Sequence, residues 1–541
     1  MFKENTYEYT NLVDAVLSNP RHIPEHKPMY IDSATDETIT FGEFKILIRQ
    51  ITAGLIKFGL KKGDCVSVFS PNHIHVPAFM LSTHAAGAHV SPSNPILSVQ
   101  DYEKQLRLSK AKFILAHPIS LKVALLAATA VGIPHAHVWS ILPDDQHRAA
   151  YWKDKLCTQE KEEADPIPLT AQESRDTLTY ICFSSGTTGP PKGVQISHQN
   201  FIANTIELDN TLKKSSTYNN TGALLAIVPF FHIMGIFRFI HMAIYDGRTT
   251  IVVAKYDVEH MCHMIDKHQV SSLYVVPPML LHMLNNPSIA DKYKYSSVEA
   301  VHVGAAPVSL SLAQNFQKKF NIPVLGGYGM TETASILAIQ TIENYAPGSV
   351  GHMIGGIDTK VIDEDGQALP IGSTGEICIK GPIVMLGYID NPEATAESID
   401  SEGYLHTGDI GYVDKLGNWY IVDRSKELIK YNAFQIAPAE LEDVLLKCPL
   451  VADAAVIGIY DEKNMTEVPL AYITLNEAYK TQDKATIKQA IHAFVNERVV
   501  YYKKLRGGIE FIDLVPKNVS GKILRKDLRE MYKNSKQKAK L

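Results

Sequence analysis

The densest group of residues able to do chemistry is the run at 184–193, Ser-Ser-Gly-Thr-Thr-Gly-Pro-Pro-Lys-Gly, which lies between two apolar runs. Glycines let backbone amides approach an anion, hydroxyl groups add hydrogen-bond donors, and the lysine adds positive charge. The run is not a Walker loop, because Gly-Lys-Ser/Thr is absent and two prolines prevent a helix from starting there. A flexible surface loop is the alternative, but the pattern predicts a phosphate-binding loop between two strands.

A second group, His260, Cys262, His263 and His268, has side chains of the types that bind metal ions. No second cysteine accompanies them, and apolar residues recur between them at helical spacing. This stretch therefore predicts a structural helix, with a metal site as the less favoured alternative.

The framework that must position the loop alternates apolar strands with amphipathic helices. Residues 65–69 and 112–116 predict strands, and residues 75–88 and 120–130 predict helices. This alternation predicts an α/β fold in which layered α/β subdomains contain largely parallel sheets. From about residue 348 to residue 423, short alternating strands and close turns predict a β subdomain.

After Arg424 the pattern is that of a small α+β unit. Pro438 is suited to the first turn of a helix. Strands are predicted at 451–459, 468–475 and 509–515, with a helix at 487–499 between the last two. The sequence therefore predicts a large N-terminal domain, residues 1–423, and a small C-terminal domain, residues 429–541.

Composition narrows the classes of partner. The 541 residues carry 53 Lys and Arg against 58 Asp and Glu, so no basic excess favours a nucleic-acid partner. The six cysteines are far apart and form no Cys-x-x-Cys pair, which argues against a disulfide framework. The sequence has neither a signal-peptide pattern nor an apolar run of about 18 residues that could cross a membrane. We expect a protein of a reducing compartment.

The chain resembles the adenylate-forming superfamily of acyl- and aryl-CoA synthetases, adenylation domains and beetle luciferases, and most of all the acyl-CoA synthetases related to 4-coumarate–CoA ligase. The resemblance covers nearly the whole chain and includes the loop at 184–193. The other matching motifs, in the family's order, are Pro229-Phe230-Phe231-His232, Gly304-Ala305-Ala306-Pro307, Gly327-Tyr328-Gly329-Met330-Thr331-Glu332-Thr333, Gly375-Glu376, Tyr404-Leu405-His406-Thr407-Gly408-Asp409, Asp423-Arg424-Ser425-Lys426-Glu427-Leu428-Ile429-Lys430 and Ser520-Gly521-Lys522-Ile523-Leu524-Arg525-Lys526.

The resemblance implies an AMP-binding large domain and assigns its nucleotide site. Asp409 and Arg424 are expected at the ribose, Thr331 at the α-phosphate and the Glu332 carboxylate on Mg²⁺. The remaining residues expected to bind ATP or AMP are Ser184, Ser185, Gly186, Thr187, Thr188, Gly189, Lys192, Ala305, Gly327, Tyr328, Gly329 and Lys426.

The resemblance also implies two half-reactions served by two positions of a mobile small domain. Lys522 is expected to bridge the carboxylate and the α-phosphate during adenylation. Residues 424–428, with Lys426, match the hinge about which the small domain rotates. Lys430 and Gln435 match catalytic positions on the face that serves attack by the CoA thiol.

The acid is expected to lie beside His232, which would gate or position its carboxylate. The other positions expected to line the acyl pocket are Met234, Gly304, Gly329, Ala334, Ser335 and Ile336. These are small or apolar, with Ser335 the one obvious polar residue, so an apolar aryl or medium-chain acid is expected.

The chain departs from the family pattern at several positions. Asn432 and Ala433 stand where CoA-contacting lysine and glycine are usual, and Ala433 adds a methyl group where pantetheine is expected to pass. Lys255 matches another lysine that contacts CoA in the family. Gly326 stands where glutamine is common, and Val303 where serine is common, so the substrate of the plant 4-coumarate enzymes does not transfer directly.

The resemblance leaves four functions open: an ATP-dependent acid–CoA ligase, a luciferase-like oxidoreductase, an enzyme that loads a carrier protein, and a binder without catalysis. No carrier segment follows Leu528, and retention of Lys192, Glu332 and Lys522 argues against a mere binder. The acid–CoA ligase is the favoured hypothesis.

The last three residues, Ala539-Lys540-Leu541, resemble the peroxisomal address Ser-Lys-Leu. They follow a polar, basic segment that cannot bury itself in a core. We expect recognition by the peroxisomal import receptor, with a cytoplasmic location as the alternative.

Overall fold

The computed structural model describes residues 7–157, 162–184, 191–215, 222–431, 434–462, 465–518 and 521–538, with the backbone alone at 537–538. Up to residue 215 its elements are α1 (Asp14–Leu17), β1 (Pro28–Asp32), β2 (Thr38–Thr40), α2 (Phe41–Lys57), β3 (Cys65–Phe69), α3 (Val76–Ala85), β4 (His89–Ser93), α4 (Val99–Ser109), β5 (Ala111–Ala116), α5 (Leu121–Val131), β6 (Val138–Ser140), β7 (Ala150–Tyr151), α6 (Trp152–Leu156), α7 (Ala171–Asp176), β8 (Leu178–Ser184), β9 (Lys192–Ser197) and α8 (His198–Leu212).

The middle of the chain, residues 222–424, contains the next set of helices and strands. Its elements are β10 (Ala223–Ala226), α9 (Ile233–Gly235), a π-helix (Ile236–Met242), α10 (Ala243–Asp246), β11 (Thr250–Val252), α11 (Val258–Lys267), β12 (Val270–Val275), α12 (Pro277–Asn285), α13 (Pro287–Ala290), β13 (Ala300–Val303), α14 (Leu310–Phe320), β14 (Val324–Met330), a 3₁₀ turn (Thr331–Thr333), β15 (Ser335–Ile339), β16 (His352–Met353), β17 (Asp358–Ile362), β18 (Gly375–Lys380), β19 (Gly387–Tyr388), α15 (Pro392–Ser398), β20 (Leu405–Val413) and β21 (Trp419–Arg424).

Two large sheets form the α/β part. One has the strand order β19-β9-β8-β4-β3-β5-β6-β7 and the other β16-β15-β14-β13-β12-β10-β11-β1-β2. Their central strands are parallel, whereas β8 pairs with β9, and β14 with β15, in antiparallel fashion. Helix α3 is buried over its whole length, as a helix without a polar face must be. The predicted α/β fold is confirmed. The β8–β9 pair flanks the predicted phosphate-binding loop, and β14 carries Gly327, Tyr328 and Gly329.

The β subdomain contains a four-stranded antiparallel sheet of order β17-β18-β20-β21. The final part of the chain has a 3₁₀ turn (Ser425–Glu427), β22 (Ile429–Tyr431), β23 (Phe434–Ile436), α16 (Pro438–Leu446), β24 (Val451–Asp461), β25 (Thr466–Leu475), α17 (Lys484–Asn496), β26 (Gly508–Phe511) and α18 (Arg525–Lys538). The strand predicted at 509–515 is too long, because hydrogen bonding to β25 ends near Phe511.

The buried apolar side chains form separate clusters before and after the predicted hinge. The largest cluster ends at Trp419, and a separate cluster begins at Ile429 and includes Ile491 and Ile509. The predicted hinge, 424–428, falls between these clusters. None of the helices in the described part of the chain combines the length and the apolar character that a membrane span requires.

Candidate active site

The strands that carry the predicted phosphate-binding loop form an antiparallel pair, in which Ser184 is opposite Lys192. The two residues therefore form the base of the loop. The other predicted loop residues, Ser185, Gly186, Thr187, Thr188 and Gly189, lie outside the described residues.

A chain of contacts joins the base of this loop to Glu332. The Lys192 Nζ atom lies 4.6 Å from the ring centroid of Tyr388, on the neighbouring strand β19. The Tyr388 hydroxyl donates a hydrogen bond of 3.0 Å to Oε1 of Glu332. The other carboxylate oxygen, Oε2, makes no hydrogen bond to a described residue. A carboxylate with one oxygen held and the other available suits Mg²⁺, which prefers one or two carboxylates together with phosphate oxygens.

Buried asparagines of α8 hold the turn that carries Thr331 and Glu332. The Asn204 Nδ2 group donates to the carbonyl oxygens of Thr333 and Ile336, at 2.9 and 3.0 Å. The Asn200 Nδ2 group donates to the carbonyls of Pro382 and Val384, in the segment that leads to Tyr388. Because α8 directly follows β9, one continuous piece of chain fixes both the loop and the turn.

A second network joins β14 to the β subdomain. The Tyr328 hydroxyl donates a hydrogen bond of 2.7 Å to Oδ2 of Asp409. The Arg424 Nε atom lies 3.0 Å from Oδ1 of the same carboxylate, and the two residues are directly opposite on β20 and β21. Asp409 is buried, and its carboxylate charge is stabilised by Tyr328 and Arg424. The backbone amide of Asp409 donates a hydrogen bond to the Thr407 hydroxyl, which fixes the backbone at this point.

Lys522 reaches this network from the small domain. Burial and the charge of Arg424 lower the pKa of Lys522 to about 8, with Asp409 and Glu427 acting in the opposite direction. The turn before it is closed by hydrogen bonds between residues 518 and 522 and places Gly521 against Pro278 of α12. Glu427 of the predicted hinge forms an ion pair with Arg529 of α18. The structure thus brings the predicted adenylation lysine to the predicted ribose residues.

Two glycines bring the backbones of β13 and β14 close to apolar side chains. A Cβ atom added at Gly304 would lie 3.6 Å from the Met234 sulfur, and one added at Gly327 would lie 3.6 Å from Cδ1 of Ile336. These are ordinary van der Waals distances, so a methyl group at either position would contact these side chains without a clash. Gly329 differs, because a Cβ there would lie 1.8 Å from the Ser335 carbonyl oxygen.

Three residues close in sequence to these glycines have left-handed backbone. Ala305, Ala334 and Ser335 have φ values of 65°, 52° and 118°. Such conformations are costly for residues other than glycine and cluster at functional sites. Ala334 is fully buried and Ser335 is nearly so. Their place in the acyl pocket stays a prediction.

His232 lies at the start of α9, next to Met234. Its Nδ1 atom accepts the Met234 backbone amide at 3.4 Å, and burial lowers the pKa of His232 to about 4. The imidazole is therefore neutral near pH 7. It is suited to positioning a substrate by a hydrogen bond and not to acting as a positive charge.

The backbone amide of Gly326 is hydrogen-bonded by a glutamine, Gln340, that directly follows strand β15. The Gly326 amide donates a hydrogen bond of 2.6 Å to Oε1 of Gln340, and Gln340 donates in turn to Ala346 and Ser349. A Cβ atom at position 326 would lie 2.8 Å from the Ser349 carbonyl oxygen. Gln340 thus supplies an amide beside the position where the family commonly has its glutamine.

The residues predicted to serve attack by the CoA thiol are exposed or lie outside the described residues. Lys430 and Gln435 are opposite each other on the β22–β23 hairpin and are exposed, and Gln435 donates a hydrogen bond to Glu364 of the β subdomain. Lys426 and Lys255 are also exposed. Asn432 and Ala433 lie outside the described residues. The predicted roles of these residues in CoA binding and hinge motion stay predictions.

The predicted structural helix at the histidine–cysteine group is present as α11. Cys262 is buried, His263 is exposed, and His260 hydrogen-bonds to Ser33.

Within the described residues, the one group whose ligand atoms could share a metal ion is Glu376, Cys378 and His406. There the His406 ring lies between the carboxylates of Glu376 and Asp400, at 3.3 and 3.5 Å.

Sequence reasoning missed the side chains that support the site from other segments. Tyr388, Asn200 and Asn204 are distant in sequence from the residues that they hold. The one available signal was polarity, since Asn200 and Asn204 are one helical turn apart and flank the buried apolar residues 201–203 of α8.

Comparison with known proteins agrees with this architecture. The family model of the AMP-binding enzymes matches residues 19–389, and that of the AMP-binding enzyme C-terminal domain matches residues 440–522. The chain therefore belongs to the AMP-binding enzyme family, within the adenylate-forming superfamily.

Individual relatives cover almost the whole chain. It is 34% identical to 4-coumarate–CoA ligase 1 of Petroselinum crispum, with 94% of each chain covered. It is 35% identical to the peroxisomal OPC-8:0-CoA ligase 1 of Arabidopsis thaliana, covering 92% of this chain and 89% of that protein. Among solved structures, it resembles the o-succinylbenzoate CoA synthetase of Bacillus subtilis in complex with its acyl-adenylate intermediate, with 27% identity, a TM-score of 0.78 and coverage of 97% and 98%.

Proposed function

We propose that the chain is an AMP-forming acid–CoA ligase. In the first half-reaction an oxygen of the carboxylate bonds to the α-phosphorus of ATP and pyrophosphate leaves. In the second, the CoA sulfur bonds to the acyl carbon, the thiol gives up its proton and AMP leaves. The observation that carries the proposal is the position of Lys522 beside Asp409 and Arg424, within a fold shared with known CoA ligases.

The site must bring two anions together, the acid and the triphosphate. The loop at 184–192 holds the β- and γ-phosphates, and Lys192 and Lys522 offset their negative charge. Asp409 accepts hydrogen bonds from the ribose hydroxyl groups, and Tyr328 presents its ring to the adenine. Glu332 would hold Mg²⁺, which when bound neutralises phosphate charge and orients the leaving pyrophosphate.

The position of Lys522 suits adenylation. Its side chain interacts electrostatically with Asp409, whereas Lys430 and Gln435 are exposed on the β22–β23 hairpin. Both sets cannot serve the adenylate in one position of the small domain. This supports a rotation about residues 424–428 between the half-reactions.

The acid lies beside Gly304 and Gly327, with its carboxylate near His232. Met234 and Ile336 are apolar side chains in contact distance of these two glycine positions. An aryl acid of the cinnamate type or a medium-chain acid suits these apolar neighbours. The name of the Petroselinum relative, a 4-coumarate–CoA ligase, supports the aryl class.

The decisive experiment separates the half-reactions in Lys522→Ala. We expect acid-dependent pyrophosphate exchange to fall about 100-fold or more, because a charge aimed at the transition state is lost. We expect thioester formation from synthetic acyl-AMP and CoA to stay within about threefold of the unmodified enzyme. Lys526→Ala, an exposed lysine four residues further along, is the matched control.

Equal losses in both half-reactions would contradict the division of labour. Formation of acyl-AMP without acyl-CoA would contradict the ligase assignment and favour a light-emitting or carrier-loading enzyme, which light emission and carrier acylation assays distinguish.

A further inference from the structure

The antiparallel sheet of the β subdomain brings together three side chains of the types that bind zinc. Cys378 on β18 is directly opposite His406 on β20, and Glu376 lies two residues before Cys378. Side chains two residues apart on a strand point to the same face of the sheet. The ligand atoms of the three residues lie within 4.8 Å of one another. We call these residues the Glu376–Cys378–His406 cluster.

The distances within the cluster suit a tetrahedral metal ion. The Nδ1 atom of His406 lies 3.7 Å from Sγ of Cys378 and 3.3 Å from Oε2 of Glu376. With ordinary zinc bond lengths, a tetrahedral site separates sulfur from nitrogen by about 3.6 Å and nitrogen from oxygen by about 3.4 Å. A zinc ion therefore needs only small rotations of these side chains to bind all three atoms.

The other side of the histidine ring is supported as metal-binding histidines usually are. The Nε2 atom of His406 lies 3.5 Å from Oδ2 of Asp400. The other Asp400 oxygen, Oδ1, accepts hydrogen bonds from the backbone amides of Glu402 and Tyr404, at 2.9 and 2.8 Å. A carboxylate on the far nitrogen orients the ring and makes the metal-binding nitrogen more basic.

The cluster is open to solvent on one side only. Cys378 is fully buried, whereas the side chains of Glu376 and His406 are 27% and 29% exposed. An ion can therefore enter past the carboxylate and the imidazole, and a water molecule can supply a fourth ligand.

The surrounding charges also favour a cation. The nearest ammonium group is that of Lys360, opposite Cys378 on β17, and it is already paired with Glu402 at 3.1 Å and with Asp400 at 3.6 Å. Burial, followed by the charge of Glu376, raises the pKa of Cys378 to about 12, so the sulfur carries a proton near pH 7. A metal ion that binds this sulfur displaces the proton to solvent.

The cluster is joined directly to the predicted ribose residue. The Oε1 atom of Glu376 accepts a hydrogen bond of 3.0 Å from the backbone amide of Gly408. Gly408 has a φ of 70° and immediately precedes Asp409, at a point where the register between β18 and β20 shifts. A cation on Glu376 draws charge away from this hydrogen bond and so loosens the turn that positions Asp409.

We propose that the Glu376–Cys378–His406 cluster binds a thiophilic divalent cation of the zinc type, and that the bound ion weakens nucleotide binding at Asp409. The ion bonds to Sγ of Cys378, Nδ1 of His406 and Oε2 of Glu376, with water in the fourth position. The metal site is independent of the acid that the enzyme activates and is separate from the predicted Mg²⁺ ligand Glu332.

The first test titrates the full-length protein, freed of metal by a chelator, with Co²⁺. Cobalt occupies zinc sites and gives a charge-transfer absorption band only when a thiolate binds it. We expect this band to saturate at one Co²⁺ per chain and to disappear when Zn²⁺ displaces the cobalt.

Variants identify the ligands. Cys378→Ser should lose the band, while Cys157→Ser, the control at a partly exposed cysteine elsewhere, should keep it. His406→Gln and Asp400→Asn should each weaken zinc binding by about tenfold or more, the second through the histidine. These two variants test the site even if Cys378→Ser is unstable. Absence of the band in the unmodified protein, or an equal band in Cys378→Ser, overturns the metal site.

The second test measures the binding of AMP by calorimetry with and without saturating Zn²⁺. We expect zinc to weaken AMP binding by about fivefold or more in the unmodified protein and to leave it unchanged in Cys378→Ser. The same loss in both proteins would assign it to zinc bound elsewhere, and no loss in the unmodified protein would likewise overturn the coupling. Neither measurement requires turnover, so failure of the ligase assignment would show separately, in the assays of acyl-AMP and acyl-CoA formation.

Discussion

Lys522 shows how one residue can link pH to catalysis. Its ordinary pKa of 10.5 is lowered to about 8 by burial and by Arg424. The amine is therefore mostly charged at pH 7 and loses its charge as pH rises through about 8. Between pH about 8 and 10.5 the folded chain binds fewer protons at Lys522 than the unfolded chain does, so this residue's contribution to stability increases with pH in that window.

We expect kcat/KM for adenylation to decrease above pH about 8, because only the charged amine offsets the negative charge of the reacting groups. The measurement is a pH profile of pyrophosphate exchange from pH 6 to about 10. Lys522→Arg, which stays charged throughout, should remove this decrease from whatever activity it retains. A decrease of the same position in Lys522→Arg would assign it to another group.

At the scale of single residues, the sequence motifs predicted which side chains lie together. They did not predict the side chains that other strands contribute to the site. Asp409, Arg424 and Lys522 each stand in a motif, and the structure brings them together. Tyr388 does not, because its place beside Lys192 and Glu332 depends on the pairing of β19 with β9. Residue type and local spacing do not specify which strands become neighbours.

Among the elements, the turn that carries Lys522 lies close to α12. Gly521 has a φ of 76°, and a Cβ atom there would lie 2.9 Å from Cδ of Pro278. The turn therefore requires glycine both for its left-handed backbone and for its approach to α12.

We expect Gly521→Ala to lower kcat/KM for adenylation by about tenfold or more, because displacing the turn by even a fraction of an ångström misplaces Lys522. Gly508→Ala is the control, since Gly508 also has a positive φ but has open space around its Cβ position. Both variants should lose about 1–2 kcal/mol of stability from backbone strain alone, measured by denaturant unfolding. Equal activity in the two variants would show that the contact with Pro278 does not position the lysine.

Element prediction succeeded where the hydrophobic period was long and failed at element ends. The buried strand β3 has its predicted bounds, and the amphipathic α17 is present but begins and ends three residues before its predicted positions. The last strand, by contrast, ends at Phe511 rather than at Val515, because its end is set by the pairing with β25. Apolar residues beyond Phe511 pack in the core without forming a strand, as buried Val515 does.

For the whole molecule, the sequence makes a prediction about its location in the cell. The Ala539-Lys540-Leu541 sequence lies outside the described residues. The Arabidopsis relative carries the word peroxisomal in its name, which gives weak support to the same location here.

We expect a fluorescent protein fused to the N-terminus of the chain to enter peroxisomes of a eukaryotic cell, because the terminal tripeptide is a receptor-recognised address. Removal of Leu541 alone should make the signal diffuse, since the receptor reads a free terminal leucine. Co-localisation with a peroxisomal marker is the measurement. Diffuse fluorescence with Leu541 present would leave the enzyme in the cytoplasm.

The glutamine that faces Gly326 has a consequence for the history of this sequence. A side chain at 326 would meet the Ser349 carbonyl and Gln340, so the family's usual glutamine cannot simply return at that position. Conversely, truncation of Gln340 would strand the Gly326 amide, the Ala346 carbonyl and the Ser349 hydroxyl without their common partner. We expect each change to be destabilising alone, so a substitution at one of the two positions favours a compensating substitution at the other.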